Sequence, residues 1–161
     1  MERINALLHH PTFQGHLETL SVLERERPFC RHDLTHLLDV ARLMWIAVLE
    51  DHLPLKREVV YAAALLHDLG RSDQLLHGVP HEEASVALAR QLLPEVGFLP
   101  QEVEEICNAI QTHRSSADGQ TRSVLGQLLY RADKQCRLCW CCPAQRDCNW
   151  PPSKQNPGIV R

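Results

Sequence analysis

Apolar residues recur three and four positions apart along most of this chain, and no stretch alternates apolar and polar residues as a half-buried strand would. That periodicity restricts the fold to helices packed on helices and predicts an all-α, compact single-domain helical bundle. At 161 residues with 44% hydrophobic content, the chain is the right size for one ordinary domain around one core. Prolines and glycines mark the divisions. Helices are expected over about Phe13 to Glu24, Asp33 to Leu49, Lys56 to His67, His81 to Leu93 and Pro100 to His113. A sixth helix, capped by Thr121 or Ser123, is expected to reach about Lys134. Arg71 to Pro80 and Arg114 to Gln120 read as loops, and Pro94 with Gly97 closes the fourth helix. Residues 1–135 therefore read as the helical domain, and residues 136–161 as a cysteine-rich tail packed on it or extending from it.

Charge narrows the partners. The formal net charge is −3 with both signs interspersed, so no basic stripe offers a path for a duplex, and nucleic acid is not expected as a main partner. The longest strongly apolar stretches, Val59 to Leu66 and Leu43 to Leu49, are too short to cross a bilayer. The start, Met-Glu-Arg-Ile-Asn, lacks the basic segment and apolar core of a secretory signal, which makes a cytoplasmic location the default expectation.

Histidine is overrepresented, with ten in the chain, and imidazole is a good metal ligand near neutral pH. His67-Asp68 closes the apolar run Val60-Tyr61-Ala62-Ala63-Ala64-Leu65-Leu66 just before Gly70, so two good ligands stand at the end of a buried helix. An unpaired carboxylate is costly in such a place, and Asp68 therefore calls for a cation or a set of donors. His36 lies on the inner stripe of the second helix, with His32 one turn earlier as a competitor for its role. His113 extends the Val103, Ile106, Ile110 face, and Asp133 follows Leu125 and Leu129 on theirs. His81 opens the fourth helix, and His77, in the preceding loop, is a candidate for the entrance. Ligands scattered over five helices suit an open catalytic pocket better than a closed structural knot.

The ordered series His36, His67-Asp68, His81, His113, Asp133 resembles the HD superfamily of metal-dependent phosphohydrolases, over roughly residues 30 to 135. Ala64-Leu65-Leu66-His67-Asp68-Leu69-Gly70-Arg71 is similar to its central motif, His81-Glu82-Glu83-Ala84-Ser85 to its next histidine-bearing helix, and Arg131-Ala132-Asp133-Lys134 to its final aspartate motif. Arg71 departs from the lysine often found there; the charge is kept while reach and bonding geometry change. The resemblance implies His36, His67, Asp68 and Asp133 as ligands of a first divalent ion. It implies His81 and His113 as the mark of the two-metal branch, with Asp68 bridging. Iron, manganese or zinc would accept this donor set, so one or two such ions are the expected cofactors.

A water on such an ion loses its proton readily, so hydroxide attack on phosphorus is the expected chemistry. Arg71, Arg114 and Lys134, each beside a metal-site segment, are candidates for holding the negative substrate, while Glu82 could orient water or simply sit at a helix N-terminus. With no glycine-rich phosphate loop and no base-reading domain, the expected substrate is a small phosphorylated metabolite, nucleotide or dinucleotide. Phe29, Trp45, Tyr61 or Tyr130 could stack on a base or belong to the core. Two other readings stand beside hydrolysis: a di-iron oxygenase acting on a small phosphorylated or polyhydroxylated substrate, and a non-catalytic metal- or nucleotide-binding module.

Five of the seven cysteines fall between Cys136 and Cys148. Cys136, Cys139, Cys142 and Cys148 give C-x2-C-x2-C-x5-C, a spacing that permits a separate structural zinc, an iron-sulfur cluster, or reduced thiols that pack the tail. Cys30 and Cys107 read as buried apolar residues or ordinary thiols.

Overall fold

The computed structural model describes residues 1–113 and 122–159, and among these it is helical with no strand. The α-helices are α1 (Glu2–Leu8), α2 (Pro11–Leu23), α3 (Leu34–Glu50), α4 (Arg57–Leu66), α5 (Arg71–His77), α6 (His81–Glu95), α7 (Pro100–Thr112) and α8 (Val124–Gln135). Three short 3-10 turns follow, at Cys139–Cys141, Gln145–Asp147 and Pro152–Lys154.

The apolar run becomes the middle of the molecule. In α4, Val59, Val60 and every residue from Ala62 to Leu66 are buried, as expected of a helix apolar on nearly all sides. It packs against α1, α3, α6, α7 and α8, and the small side chains at Ala62, Ala63 and Ala64 let these neighbours approach. From α3, Leu37, Val40, Ala41, Met44 and Val48 form the matching stripe; burying each of the larger ones contributes about 1.5–3 kcal/mol relative to exposure. Ends are fixed by local chemistry. The Asp33 carboxylate accepts from the His36 N–H at 2.9 Å, and the Ser123 hydroxyl accepts from the Gly126 N–H at 3.1 Å. Of the two caps expected for the last helix, Ser123 is the one seen, and Thr121 lies outside the described residues.

Three departures from the sequence reading have identifiable causes. Glu2–Leu8 forms a short helix that buries only Ile4 and Leu7, too few positions to show a period. Arg71–His77 is helix rather than loop; it buries only Ser72, and its stop is Gly78 in the left-handed conformation at φ 74°. Pro94 lies inside the last turn of α6 instead of ending it, and the turn from α6 into α7 passes through Gly97 at φ 87°.

The N-terminal helix is tied to the bundle by charge. Arg3 donates to Glu58 at 2.7 Å and to Glu102 at 2.6 Å, Lys56 donates to Glu102 at 2.9 Å, and Glu102 also accepts from the Leu99 N–H at 3.0 Å. The Arg3 guanidinium, more than any other partner, holds the Glu102 carboxyl down to about 2. A carboxyl depressed on folding stabilises the protein above its ordinary value of 4.5, and this contribution is lost as pH falls from there towards 2. Glu102→Gln should therefore cost roughly 1 kcal/mol at neutral pH, with the solvent-screened Lys56 arm adding little. Urea unfolding at pH 7 and pH 3 checks this: the gap between parent and variant should narrow at the lower pH.

Candidate metal centre

The chain delivers its candidate ligands from element ends that meet at one place. His36 comes from the first turn of α3, and His67 and Asp68 from the residues just beyond α4. His81 is the first residue of α6, His113 caps α7, and Asp133 lies in the last turns of α8. Two groups of possible ligand atoms result, each drawn together within 4.8 Å: His36, His67, Asp68 and Asp133 in one, and Asp68, His81 and His113 in the other. Asp68 belongs to both. Its Oδ2 lies 3.1 Å from His67 Nε2 and 3.6 Å from His36 Nε2, while its Oδ1 lies 3.3 Å from His81 Nε2. Asp133 Oδ1 completes the first group at 3.5 Å from His36 Nε2 and 3.7 Å from His67 Nε2.

The rings are set from behind. His67 Nδ1 faces the Ala64 carbonyl at 2.7 Å, His113 Nδ1 the Ile110 carbonyl at 2.5 Å, and His81 Nδ1 the Glu82 carboxylate at 3.0 Å. Donation from Nδ1 of His67 and His113 to these carbonyls leaves their Nε2 atoms to point at the shared space, the orientation that metal-binding histidines adopt, while Glu82 stands against His81 as a charge without a hydrogen bond. For His36 the partner is Cys136, whose Sγ is 3.3 Å from Nδ1 and whose thiol donates to the Asp133 carbonyl at 3.2 Å. Cys136 thus packs against the His-Asp group, joining His36 to the Asp133 backbone. Glu82, read as a water-orienting group or a helix-end charge, lies against His81.

The donor set fits a cation. His67 Nε2 is buried with no hydrogen-bond partner, although two carboxylates lie within 4 Å. His81 Nε2 and His113 Nε2 face each other at 3.4 Å, two lone-pair atoms converging on Asp68. Burial opposes charge on His67, but the neighbouring Asp68 and Asp133 carboxylates outweigh it and push the imidazole up to about 10. Burial also works against ionised Asp68 and Asp133, yet His67 with Arg71 holds Asp68, and His67 with Arg137 holds Asp133, well below the usual carboxylate range. His36 and His81, by contrast, are pushed down to about 4, chiefly by burial. The centre pairs a demand for positive charge with neutral imidazoles ready to donate electron pairs.

Some candidates stand close to this centre and others do not. Arg71 Nε donates to Asp68 Oδ1 at 2.8 Å, and Lys134 Nζ lies 3.6 Å from Asp133 Oδ2. Arg114 lies outside the described residues. His32 is not in either ligand group; its Nε2 stands 3.8 Å from Asp68 Oδ2, while its Nδ1 lies 2.7 Å from Glu24 Oε1. His77 is exposed at the end of α5 and does not line the adjoining cavity. Trp45 and Tyr61 pack against the core, whereas Phe29 and Tyr130 line the cavity. Sequence reasoning missed Arg137, whose Nη2 is 3.1 Å from His36 Nε2 and 3.3 Å from Asp133 Oδ1. Its position one turn after Asp133 was the available signal. It also missed Glu24, for which no sequence signal existed.

A cavity of about 360 Å³ adjoins the centre, lined by Asp68, His113, Asp133 and Arg71 together with tail residues such as Trp150 and Lys154. Residues 33–138 match the family described as HD domain. This chain belongs to the HD family. An uncharacterized protein from Clostridium beijerinckii is 36% identical over 156 residues, covering 97% of each chain, so the likeness continues through the cysteine-rich tail. Among solved structures, a predicted HD superfamily hydrolase from an uncultured Thermotogales bacterium is similar at a TM-score of 0.59 and 27% identity, covering 84% of this chain and 74% of the other. As an HD protein the chain carries a His-Asp cluster able to hold a metal ion. Among the described residues no helix is long and apolar enough to cross a membrane.

Proposed function

We propose that this chain hydrolyses a phosphate ester or phosphoanhydride in a small metabolite, a nucleotide or dinucleotide, at a two-ion centre held by His36, His67, Asp68, His81, His113 and Asp133. The observation that carries this reading is the single carboxylate of Asp68 shared by two ligand groups beside an open cavity. Bound iron, manganese or zinc would supply Lewis-acid chemistry, acidifying water and neutralising phosphoryl oxygens.

The chain's own groups do the rest. Arg71, turned on Asp68, and Lys134, beside Asp133, border the cavity where phosphoryl oxygens would approach. Tyr130 already carries the cationic groups of Arg122 and Lys134 over its ring, which leaves Phe29 and Trp150 as surfaces for a base. A cavity of about 360 Å³ matches the lower range of small-ligand sites and excludes a polymer as a fully enclosed substrate. His32 presents Nε2 to the cavity side of Asp68 and is oriented by buried Glu24, an arrangement suited to moving a proton to or from substrate.

His32→Gln should accordingly lower kcat about a hundredfold while leaving the bound metal content unchanged. Steady-state kinetics with metal analysis of the same preparation checks the pair of outcomes. The activity itself is tested by screening phosphorylated metabolites with anaerobically purified protein reloaded with manganese. Turnover without oxygen supports hydrolysis; turnover that requires reduced iron and consumes oxygen would replace it with oxygenase chemistry.

A further inference from the structure

Of the four tail cysteines that the spacing groups together, three line the cavity and Cys136 does not. Cys136 is committed to His36 and the Asp133 carbonyl, and Cys141 is exposed. The remaining three, Cys139, Cys142 and Cys148, line the same cavity as Cys30, which arrives from the segment between α2 and α3. By sequence alone Cys30 reads as a buried apolar residue or an ordinary thiol. Here its environment is shared: burial first, and then the nearby Cys142 and Cys139 sulfurs, push its thiol up, while Arg137 works the other way. All seven cysteines are free of disulfides.

We propose that Cys30, Cys139, Cys142 and Cys148 ligate an iron-sulfur cluster that clamps the C-terminal tail over the catalytic cavity. Four thiolates are the usual complement for such a cluster. Size discriminates against a single ion. Zinc-thiolate bonds of about 2.3 Å require tetrahedral sulfurs roughly 3.8 Å apart, and among the described residues no three cysteine sulfurs come within 4.8 Å of one another. A polynuclear centre holds its thiolates farther apart than a single ion does.

Two further features fit an anionic group here. Arg137 is buried, lines the cavity, and has an Nε with no hydrogen-bond partner, while Arg27 lines the same cavity. The tail also needs a clamp. Among the described residues beyond Arg137 only Cys139 and Ala144 are buried, and Leu138 and Trp140 are exposed, so these residues form no apolar core of their own. Its polar ties come largely from Asn156, whose amide donates to the carbonyls of Lys134 and Arg137 at 2.8 Å. Yet Cys148, Trp150 and Lys154 from this segment face the same cavity as Asp68. A covalent link to Cys30 would hold that wall in place.

The test uses the full chain, purified anaerobically and assayed for iron, zinc and acid-labile sulfide with visible and electron paramagnetic resonance spectra. The expected result is labile sulfide at about four per chain, with iron exceeding it by whatever the His-Asp centre holds. Iron at that centre brings no sulfide, so the two sites fail or succeed separately. Cys30→Ser and Cys142→Ser should lose the sulfide and the visible band; Cys136→Ser and Cys141→Ser should keep them. Alkylation of the unaltered protein tests the same assignment without relying on a variant that folds: Cys30, Cys139, Cys142 and Cys148 should be protected together, and become reactive after chelation while Cys141 reacts throughout. One tightly held zinc without sulfide, failure to acquire sulfide on anaerobic reconstitution, or free reaction of Cys30 in the loaded protein would overturn the proposal.

Discussion

Asp68→Ala is expected to reduce turnover about a thousandfold or more, the upper end of what losing one charge-stabilising group at a reacting centre costs. The size follows from the position of the carboxylate, whose two oxygens face His36 and His67 on one side and His81 on the other. Removing it dismantles both ligand groups at once. Asp68→Asn, which keeps the volume, should do nearly as much damage because it removes the charge that attracts a cation. Far-UV circular dichroism should show both variants still helical, since Asp68 lies just beyond the end of α4 rather than within a helix. Metal analysis and kinetics on the same samples measure the effect, and full retention of metal and activity in Asp68→Asn would contradict the bridging role.

The second large effect is expected at Gly70, through space rather than chemistry. Its backbone φ of −68° is open to any residue, but a Cβ there would overlap the Ser85 backbone nitrogen and lie 2.6 Å from the His81 carbonyl oxygen. The contact is reinforced by Ser85, whose hydroxyl accepts from the Gly70 N–H at 2.9 Å and donates to the His67 carbonyl at 2.9 Å. This joint fixes α6, and so His81, against the His67-Asp68 end of α4. Gly70→Ala should therefore cost about 2–3 kcal/mol by overpacking and also loosen the His81 side of the centre. Denaturant unfolding measures the first consequence. Metal stoichiometry measures the second, because His36 and Asp133 come from α3 and α8, away from this contact, and the ion on the His81 side should be lost more readily than the other.

Much of this centre could be read before any coordinates, for a physical reason. His67-Asp68 follows an apolar run that had to be buried, and His113 and Asp133 extend apolar faces at helical spacing, so inward-facing polar groups were visible as interruptions of a periodic pattern. What escaped was whatever had no such pattern. Helix α5 buries one residue and leaves Leu75 and Leu76 exposed, so no stripe announces it. Glu24 supports His32 only because the end of α2 is folded back beside the segment leading into α3. Cys30 comes to line one cavity with Cys139 and Cys142 only through tertiary packing, which no local spacing announces.

Anomalous diffraction from crystals of the manganese-loaded protein bears most directly on the catalytic centre. Two peaks should flank the Asp68 carboxylate, one within the reach of His36, His67 and Asp133, the other beside His81 and His113. Manganese bound elsewhere, with no peak touching Asp68, would contradict the account.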